Sequence, residues 1–410
     1  VCRDNCLLGL YCLPDNGVAC RQGLCVECVE DSDCAGSRYT CDPTSFTCQQ
    51  RVFDPNATRF GIFYHTWHCP AAHANPVHDL SEVQAGRQSY HPDHHTFYWW
   101  DQPQAGYYCL TQNDALLRQH AEQIRDAGIN FVFLDVTNHA YVGAGSDDTP
   151  GMILEPLDRL LAVWSTVPNA PRVVAWVPVE QPGQDASRFT VDAIHARMQN
   201  HPEMQFIYRG KPLLLVTENP DHPVNAARVA QLAADYTVRH MWAHVPQQPF
   251  FRPELWSFMN MCQANPTSTE PCQQYSATLN GAIEQITVTT AYQMDYMSVP
   301  GAVPKHHGRT FRKQFETALN NPQAPIVTIT GWNEWIVQRQ PCGIASCDCA
   351  TYPQGCFLDA WDVEHSRDIE PGQNAAGDFY YRLLVDCIAL FRQGARCDAD
   401  HANRLCCADP

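Results

Sequence analysis

Carboxyl groups set beside aromatic rings are the first chemistry this sequence offers. Glu334 stands in Gly331-Trp-Asn-Glu-Trp335, between two indoles. Apolar surroundings raise a carboxyl pKa towards neutrality, which suits the group to donate a proton. The indoles offer flat apolar faces to the C–H side of a sugar ring. Such a grouping fits glycosidic bond hydrolysis, which normally takes two carboxyl groups about 5–10 Å apart. For the second group Asp135 ranks first, because it closes an apolar run just as Glu334 does. Glu180 and Glu218 also follow apolar runs, and Asp368 and Glu370 lie together in Asp368-Ile-Glu-Pro371. Glu334 and Asp135 are therefore the expected catalytic pair, with Glu180, Glu218, Asp368 and Glu370 as alternative acids. The expected sugar-binding side chains are His65, Trp67, Trp100, Tyr107, Tyr108, Asn138, Trp242, Trp332, Asn333 and Trp335, which fall near strand ends or in long loops.

These residues need a scaffold that brings strand ends together. The run from Arg59 to Tyr64 reads as a buried strand, and those at 129–138, 172–177, 211–218, 237–242, 284–290 and 325–330 read likewise. Helical spacing of apolar residues lies between most of them. Leu116, Leu117, His120, Ala121, Ile124 and Ala127 follow a capping signal at Thr111–Asp114 and precede Gly128. Continuous apolar strands alternating with helices predict a parallel sheet covered on both faces. Over residues 59–410 this fits an α/β fold, a (β/α)8 barrel with long loops. An eighth strand is weakly marked, and Cys356–Trp361 is the candidate. In such a barrel, residues just past the strands' C-terminal ends line the active site.

Residues 1–50 differ. They hold nine of the 21 cysteines and few large apolar side chains, so disulfides must hold them together. A linker at 51–58 follows this cysteine-rich module. Cys69 and Cys109 bracket a long loop and read as a pair; Cys342, Cys347, Cys349 and Cys356 read as a disulfide-braced insertion after Glu334. Cysteine usage of this kind, with a chain that begins at Val1, predicts a secreted, extracellular or surface-attached protein whose leader has been removed. The net charge of −17 makes nucleic acid and anionic membrane surfaces poor partners. No apolar run is long enough for a membrane helix. The histidines at 73, 78, 91, 94 and 95 match no standard ligand spacing, so neither metal nor cofactor is expected.

Four motifs, in order along residues 59–393, carry a resemblance. They are Trp100-Asp-Gln-Pro-Gln-Ala-Gly-Tyr-Tyr108, the stretch from Asp126 to Asn138, Gly308-Arg-Thr-Phe-Arg312, and Gly331-Trp-Asn-Glu-Trp335 followed by Asp368-Ile-Glu-Pro371. Together they resemble glycoside hydrolase family 99 and the family 71/99-like barrel enzymes. The resemblance implies endo- or exo-acting hydrolysis of a glycan by carboxylates at the barrel's C-terminal face. In that family the Asn-Glu-Trp glutamate is followed three residues later by a second catalytic glutamate. Glu334 matches the first; Val337 stands at the second position and cannot transfer a proton. Two other readings follow from this departure and from the odd cysteine count. One is a glycan-binding barrel without catalysis. The other is an extracellular protein that self-associates through the cysteine-rich module.

Overall fold

A computed structural model describes residues 19–21, 24–26, 39–41, 47–50, 54, 56–137, 150–180, 190–219, 223–244, 252–260, 276–292, 302–344 and 347–408. In the N-terminal segment the described residues form two small antiparallel hairpins, Ala19–Arg21 with Leu24–Val26 and Tyr39–Cys41 with Cys48–Gln50. The remainder is organised by one sheet. Its strands are β1 (Arg59–Tyr64), β2 (Phe131–Asp135), β3 (Arg172–Val177), β4 (Lys211–Thr217), β5 (Thr237–His244), β6 (Trp256–Asn260), β7 (Ser276–Leu279), β8 (Ala282–Thr289) and β9 (Ile326–Thr330). They lie in the order β6-β5-β4-β3-β2-β1-β9-β8-β7. Every neighbouring pair is parallel except β7 with β8.

The two ends of this order meet, so the sheet is a nearly closed, TIM-like barrel. Among the described residues no backbone ladder joins β6 to β8; side chains close the gap. Gln285 donates from Nε2 to Ser257 O at 2.8 Å and accepts from Ser257 N at 3.2 Å. A carboxamide carries the same donor and acceptor as a peptide group, so it can stand in for a ladder residue. Thr287 Oγ1 donates to Phe258 O across the same seam at 3.0 Å.

Inward side chains alternate with outward ones along each strand. Phe63, Phe133, Trp176 and Phe258 meet inside, with centroid separations from 4.9 to 6.5 Å. Gly61 makes room lower down, because a Cβ there would lie 2.3 Å from the Phe131 ring. Outward residues such as Ile62, Val132 and Ile329 pack under the helices. These are α1 (Asp114–Asp126), α2 (Glu155–Trp164), α3 (Thr190–Gln199), α4 (Ala226–Leu232), α5 (Arg309–Asn320) and α6 (Phe379–Arg392). Helix α1 begins where the Asn113 side chain accepts from Leu116 N at 3.0 Å, and it buries the apolar stripe expected of it.

Seven strands fall where the apolar runs predict them. The eighth parallel strand does not. It is Trp256–Asn260, within a stretch that reads as loop. The proposed Cys356–Trp361 instead gives the two-residue strand Cys356–Phe357. That strand pairs antiparallel with Ile336–Gln340, which pairs with Phe97–Trp99. This small sheet lies beyond the barrel, so Val337 sits opposite Tyr98 with its side chain buried. The long loop after β1 also carries two short helices, His68–Ala72 and Leu80–Gln84.

Disulfides join Cys69 to Cys109, Cys342 to Cys349, Cys347 to Cys356, Cys387 to Cys406 and Cys397 to Cys407. The first two expectations hold; Cys387, read as a core position of α6, is also a tether for the tail. Among the described residues no cysteine is free. Cys262 and Cys272, which read as a pair, lie outside them, as do the side chains of the N-terminal module. Cys69–Cys109 closes a loop 40 residues apart in sequence. Chain entropy makes such a bridge worth about 4 kcal/mol at most, and less where the reduced chain keeps structure. The double variant Cys69→Ala/Cys109→Ala is expected to lose about 2–4 kcal/mol in denaturant unfolding. Among the described residues no helix is long and apolar enough to cross a membrane.

Candidate active site

Strand β9 delivers Glu334 through a stretch clamped on both sides. Trp332 N donates to Phe63 O on β1 at 2.8 Å. Asn333 accepts from His65 N at 2.8 Å and donates to His65 O at 3.1 Å, so its side chain pairs with the chain leaving β1. On the other side Ile369 N and Glu370 N both donate to Trp332 O, and Gly331 N donates to Arg367 O. The segment 366–370 is thus folded back against 331–335. Few backbone freedoms remain for Glu334.

That fold-back places Arg367 under Glu334. Arg367 Nη2 lies 2.6 Å from Glu334 Oε2, and Arg367 Nε donates to the same oxygen at 2.9 Å. Arg367 Nη2 is also 3.3 Å from Asp359 Oδ1, and Nη1 donates to the Asp359 carbonyl at 3.2 Å. Arg367 is 2% exposed and Glu334 5%, whereas the Asp359 side chain is 32% exposed. One buried guanidinium therefore holds two carboxyl groups, of which one reaches solvent. Burial raises Glu334 to about 8; Arg367 opposes this, and the negative charges of Asp359 and Asp368 add to it. Removal from water outweighs the ion pair here because the guanidinium is shared.

Asp135 ends β2, two strands from β9 in the order β2-β1-β9. At a strand spacing of about 4.8 Å, that places the two strand ends about 10 Å apart. Asp135 is buried and accepts from Thr137 N at 2.9 Å. Burial raises it to about 6, with a further rise from Asp359 and a counter-effect from Arg367. Asp135, Glu334, Asp359 and Arg367 thus share one electrostatic neighbourhood at the C-terminal mouth.

The alternative acids are placed elsewhere or held differently. Glu218 is gripped by Arg252, with Nη2 donating at 2.5 Å, and His240 Nδ1 lies 2.6 Å from it. Burial pushes Glu218 up, but Arg252 and His240 outweigh this and hold it at about 2. Glu180 lies 3.4 Å from Arg228 of α4, which also pairs with Asp192 of α3. It therefore faces the helical shell. Asp368 accepts from Trp100 Nε1 at 2.6 Å, beside the buried Lys305. Burial raises Asp368 and lowers Lys305, each offset in part by the other's charge. Glu370 has both oxygens occupied. Oε2 accepts from Trp335 Nε1 at 2.6 Å and Tyr108 OH at 2.8 Å, and His120 Nε2 is 2.9 Å from Oε1. His120 in turn bonds Tyr64 OH at 2.8 Å.

This network accounts for most of the aromatic residues expected at a sugar platform. Trp335 and Trp100 stack at 4.9 Å, both buried, and Trp332 and Tyr108 are buried beside them. The polar tips of Trp100, Trp335 and Tyr108 are drawn inward to Asp368 and Glu370, so their faces meet protein. Asn333 serves the backbone of His65. Tyr107 is half-buried and donates to Asp79 at 2.6 Å. His65 and Trp67 lie against each other at 4.8 Å, where the chain leaves β1. Trp242 is half-buried at the end of β5, 6.0 Å from the interior Trp176. Asn138 lies outside the described residues. The sequence places Arg367 beside Asp368 and Glu370, where a local ion pair is the natural expectation; its partner is instead Glu334, 33 residues earlier. Asp359 carries no local signal of a role. His120 reads only as a core position of its helix, and Tyr64 as the end of a buried strand and an aromatic candidate for the sugar platform. Among the described residues no three His, Cys, Asp or Glu side chains gather as a metal site needs.

No family model matches this chain, and no curated protein is similar to it. Nineteen chains of solved structures are. Two are the family 99 endo-alpha-mannosidase of Bacteroides thetaiotaomicron, alone and in complex with BIS-TRIS-propane. Identities are 13% and 14%, and TM-scores 0.45 and 0.43. Each match covers 84% of this chain and 99% of the other. Likeness of this order transfers no residue roles to the present chain.

Proposed function

We propose that this protein is an extracellular glycoside hydrolase built on a (β/α)8 plan, acting on an oligo- or polysaccharide at the C-terminal mouth of its barrel. The observation that carries this reading is Glu334, a carboxyl group buried above a shared guanidinium at the end of a central strand. With its pKa raised to about 8 it keeps its proton at neutral pH. Asp135, at about 6, ionises first. Two carboxyl groups whose surroundings push their pKa values apart are the usual acid and base of one site. Glu334 then protonates the leaving glycosidic oxygen, and a carboxylate of the same mouth, Asp135 or Asp359, serves the anomeric carbon. Of the expected side chains, Trp242 and Tyr107 are half-buried and keep surface for a sugar, while His65 and Trp67 are buried. The disulfides support an oxidising, extracellular setting.

The test is release of reducing ends from a panel of soluble glucans, mannans, xylans and galactans across pH 5–10. Turnover is expected, with kcat/KM falling about tenfold per pH unit above about 8 as Glu334 loses its proton. The competing reading, a glycan-binding barrel without catalysis, draws support from the buried Val337 and from the buried indoles of Trp100, Trp332 and Trp335. Binding to a polysaccharide on that panel without any turnover would favour it.

A further inference from the structure

We infer that His68 is a positioning residue for Glu334, and that the Cys69–Cys109 bridge sets its imidazole in place. This rests on the glycosidase reading and deepens it. Three atoms of Asn333, the residue before Glu334, are gripped by residues 65–68. Asn333 Oδ1 accepts from His65 N at 2.8 Å, and Nδ2 donates to His65 O at 3.1 Å. The third atom is the Asn333 main-chain oxygen, 3.0 Å from His68 Nε2. That oxygen belongs to the peptide unit whose nitrogen is Glu334's own. A peptide unit is planar, so holding its oxygen fixes the plane from which the Glu334 side chain departs.

The contact also fixes the state of His68. A carbonyl oxygen can only accept, so Nε2 carries the proton. Tyr108 OH lies 3.3 Å from the same nitrogen but donates its own proton to Glu370, which leaves its oxygen as a second acceptor. His68 Nδ1 is buried and has no hydrogen-bond partner among the described residues, as fits a bare lone pair. The side chain is fully buried, with His65 and Tyr108 against it and Glu370 and His120 behind Tyr108. Burial lowers its pKa to about 3, although the Asn333 carbonyl favours the proton. A neutral donor suits this place. It holds the peptide without bringing a second cation near Glu334, whose proton a nearby positive charge would help to remove.

The bridge joins the two chain positions that this contact needs. His68 opens the short helix His68–Ala72 and immediately precedes Cys69, and Tyr108 immediately precedes Cys109. Their rings lie 4.6 Å apart, with the planes 34° from parallel. Trp99 packs against His68 as well, at 5.5 Å. The bridged cysteines are 40 residues apart in sequence, and a covalent link removes the freedom of that loop from the pair beside it.

The experiment uses the full-length protein on a polysaccharide that the wild type cleaves. His68→Phe keeps a flat ring but loses the donor. It is expected to lower kcat about ten- to a hundredfold, as slight misplacement of a reacting group does, with KM within about twofold. Its alkaline limb should move below the wild type's, because a loosened Glu334 meets more water. His68→Gln places an N–H near the position of Nε2 and should recover kcat to within about threefold of wild type. Cys69→Ala/Cys109→Ala, assayed where unfolding curves show it folded, should lose at least about threefold in kcat with KM held. Nitrogen-15 NMR of the wild type, which needs no variant to fold, should show His68 neutral and protonated at Nε2 throughout pH 5–9. A His68 that titrates in that range, or kcat of His68→Phe within threefold of wild type, would overturn the inference and leave Glu334 as the acid. Unchanged kcat in the double cysteine variant would remove the bridge from it. If the wild type cleaves nothing on the panel, the glycosidase reading falls and this inference with it.

Discussion

Glu334→Gln is expected to lower kcat on an unactivated glycan by about a hundred- to ten-thousandfold, the usual worth of a positioned general acid. Glutamine matches glutamate in shape, and its carbonyl oxygen can accept from Arg367 as Oε2 does now. What it cannot do is hand a proton to the leaving oxygen. An aryl glycoside with a good leaving group needs little protonation, so the variant should be much less impaired on it. Retention of more than a tenth of wild-type activity on the natural linkage would remove Glu334 from the mechanism. Stability gives an independent readout. Burial raises Glu334 from 4.5 in the free residue to about 8. Its contribution is therefore full below about pH 4.5 and is lost as pH rises through about 8. The glutamine variant lacks that titration, so it should lose less stability than wild type between neutral and alkaline pH.

Glu370→Ala is expected to cost at least about 3 kcal/mol of folding free energy, with the alkaline limb of any activity still near pH 8. Three buried partners converge on this carboxyl group: Trp335 Nε1, Tyr108 OH and His120 Nε2. Each buried polar group left without a partner costs about 1–3 kcal/mol. The substitution also leaves a cavity among the packed rings of Trp335, Tyr108 and Trp332. Denaturant unfolding measures this, and a loss under 1 kcal/mol would show that the network rearranges freely. In sequence Glu370 and Glu334 are two acids near tryptophans. In the fold one has every oxygen engaged by donors, and the other sits over a guanidinium that it shares.

How much of this was legible beforehand depends on the range over which each feature is decided. Strands such as Arg59–Tyr64 and helices such as Asp114–Asp126 are marked by side-chain periodicity and capping within a few residues, so the sequence alone carries them. The Cys69–Cys109 bridge and the braced insertion after Glu334 were legible for a similar reason: the cysteines bracket their own loops. Strand Trp256–Asn260 was not, because it is short and has a backbone ladder on one side only, its other edge being met by the Gln285 side chain. Glu334 was identified from its neighbours and its position at the end of an apolar run. Its environment was not, since that depends on Arg367 returning from 33 residues away and on Trp100 and Asp368 meeting across 268. Flanking indoles suggested a sugar platform; tertiary packing turned both inward, Trp335 because its N–H reaches the buried Glu370 and Trp332 because its ring packs against His120 and Tyr381. The sequence by itself determined that carboxyl groups would collect at one end of a parallel barrel. Only the tertiary structure decided which of them share a cation, because such contacts are set by where distant loops close and leave no periodic or local trace.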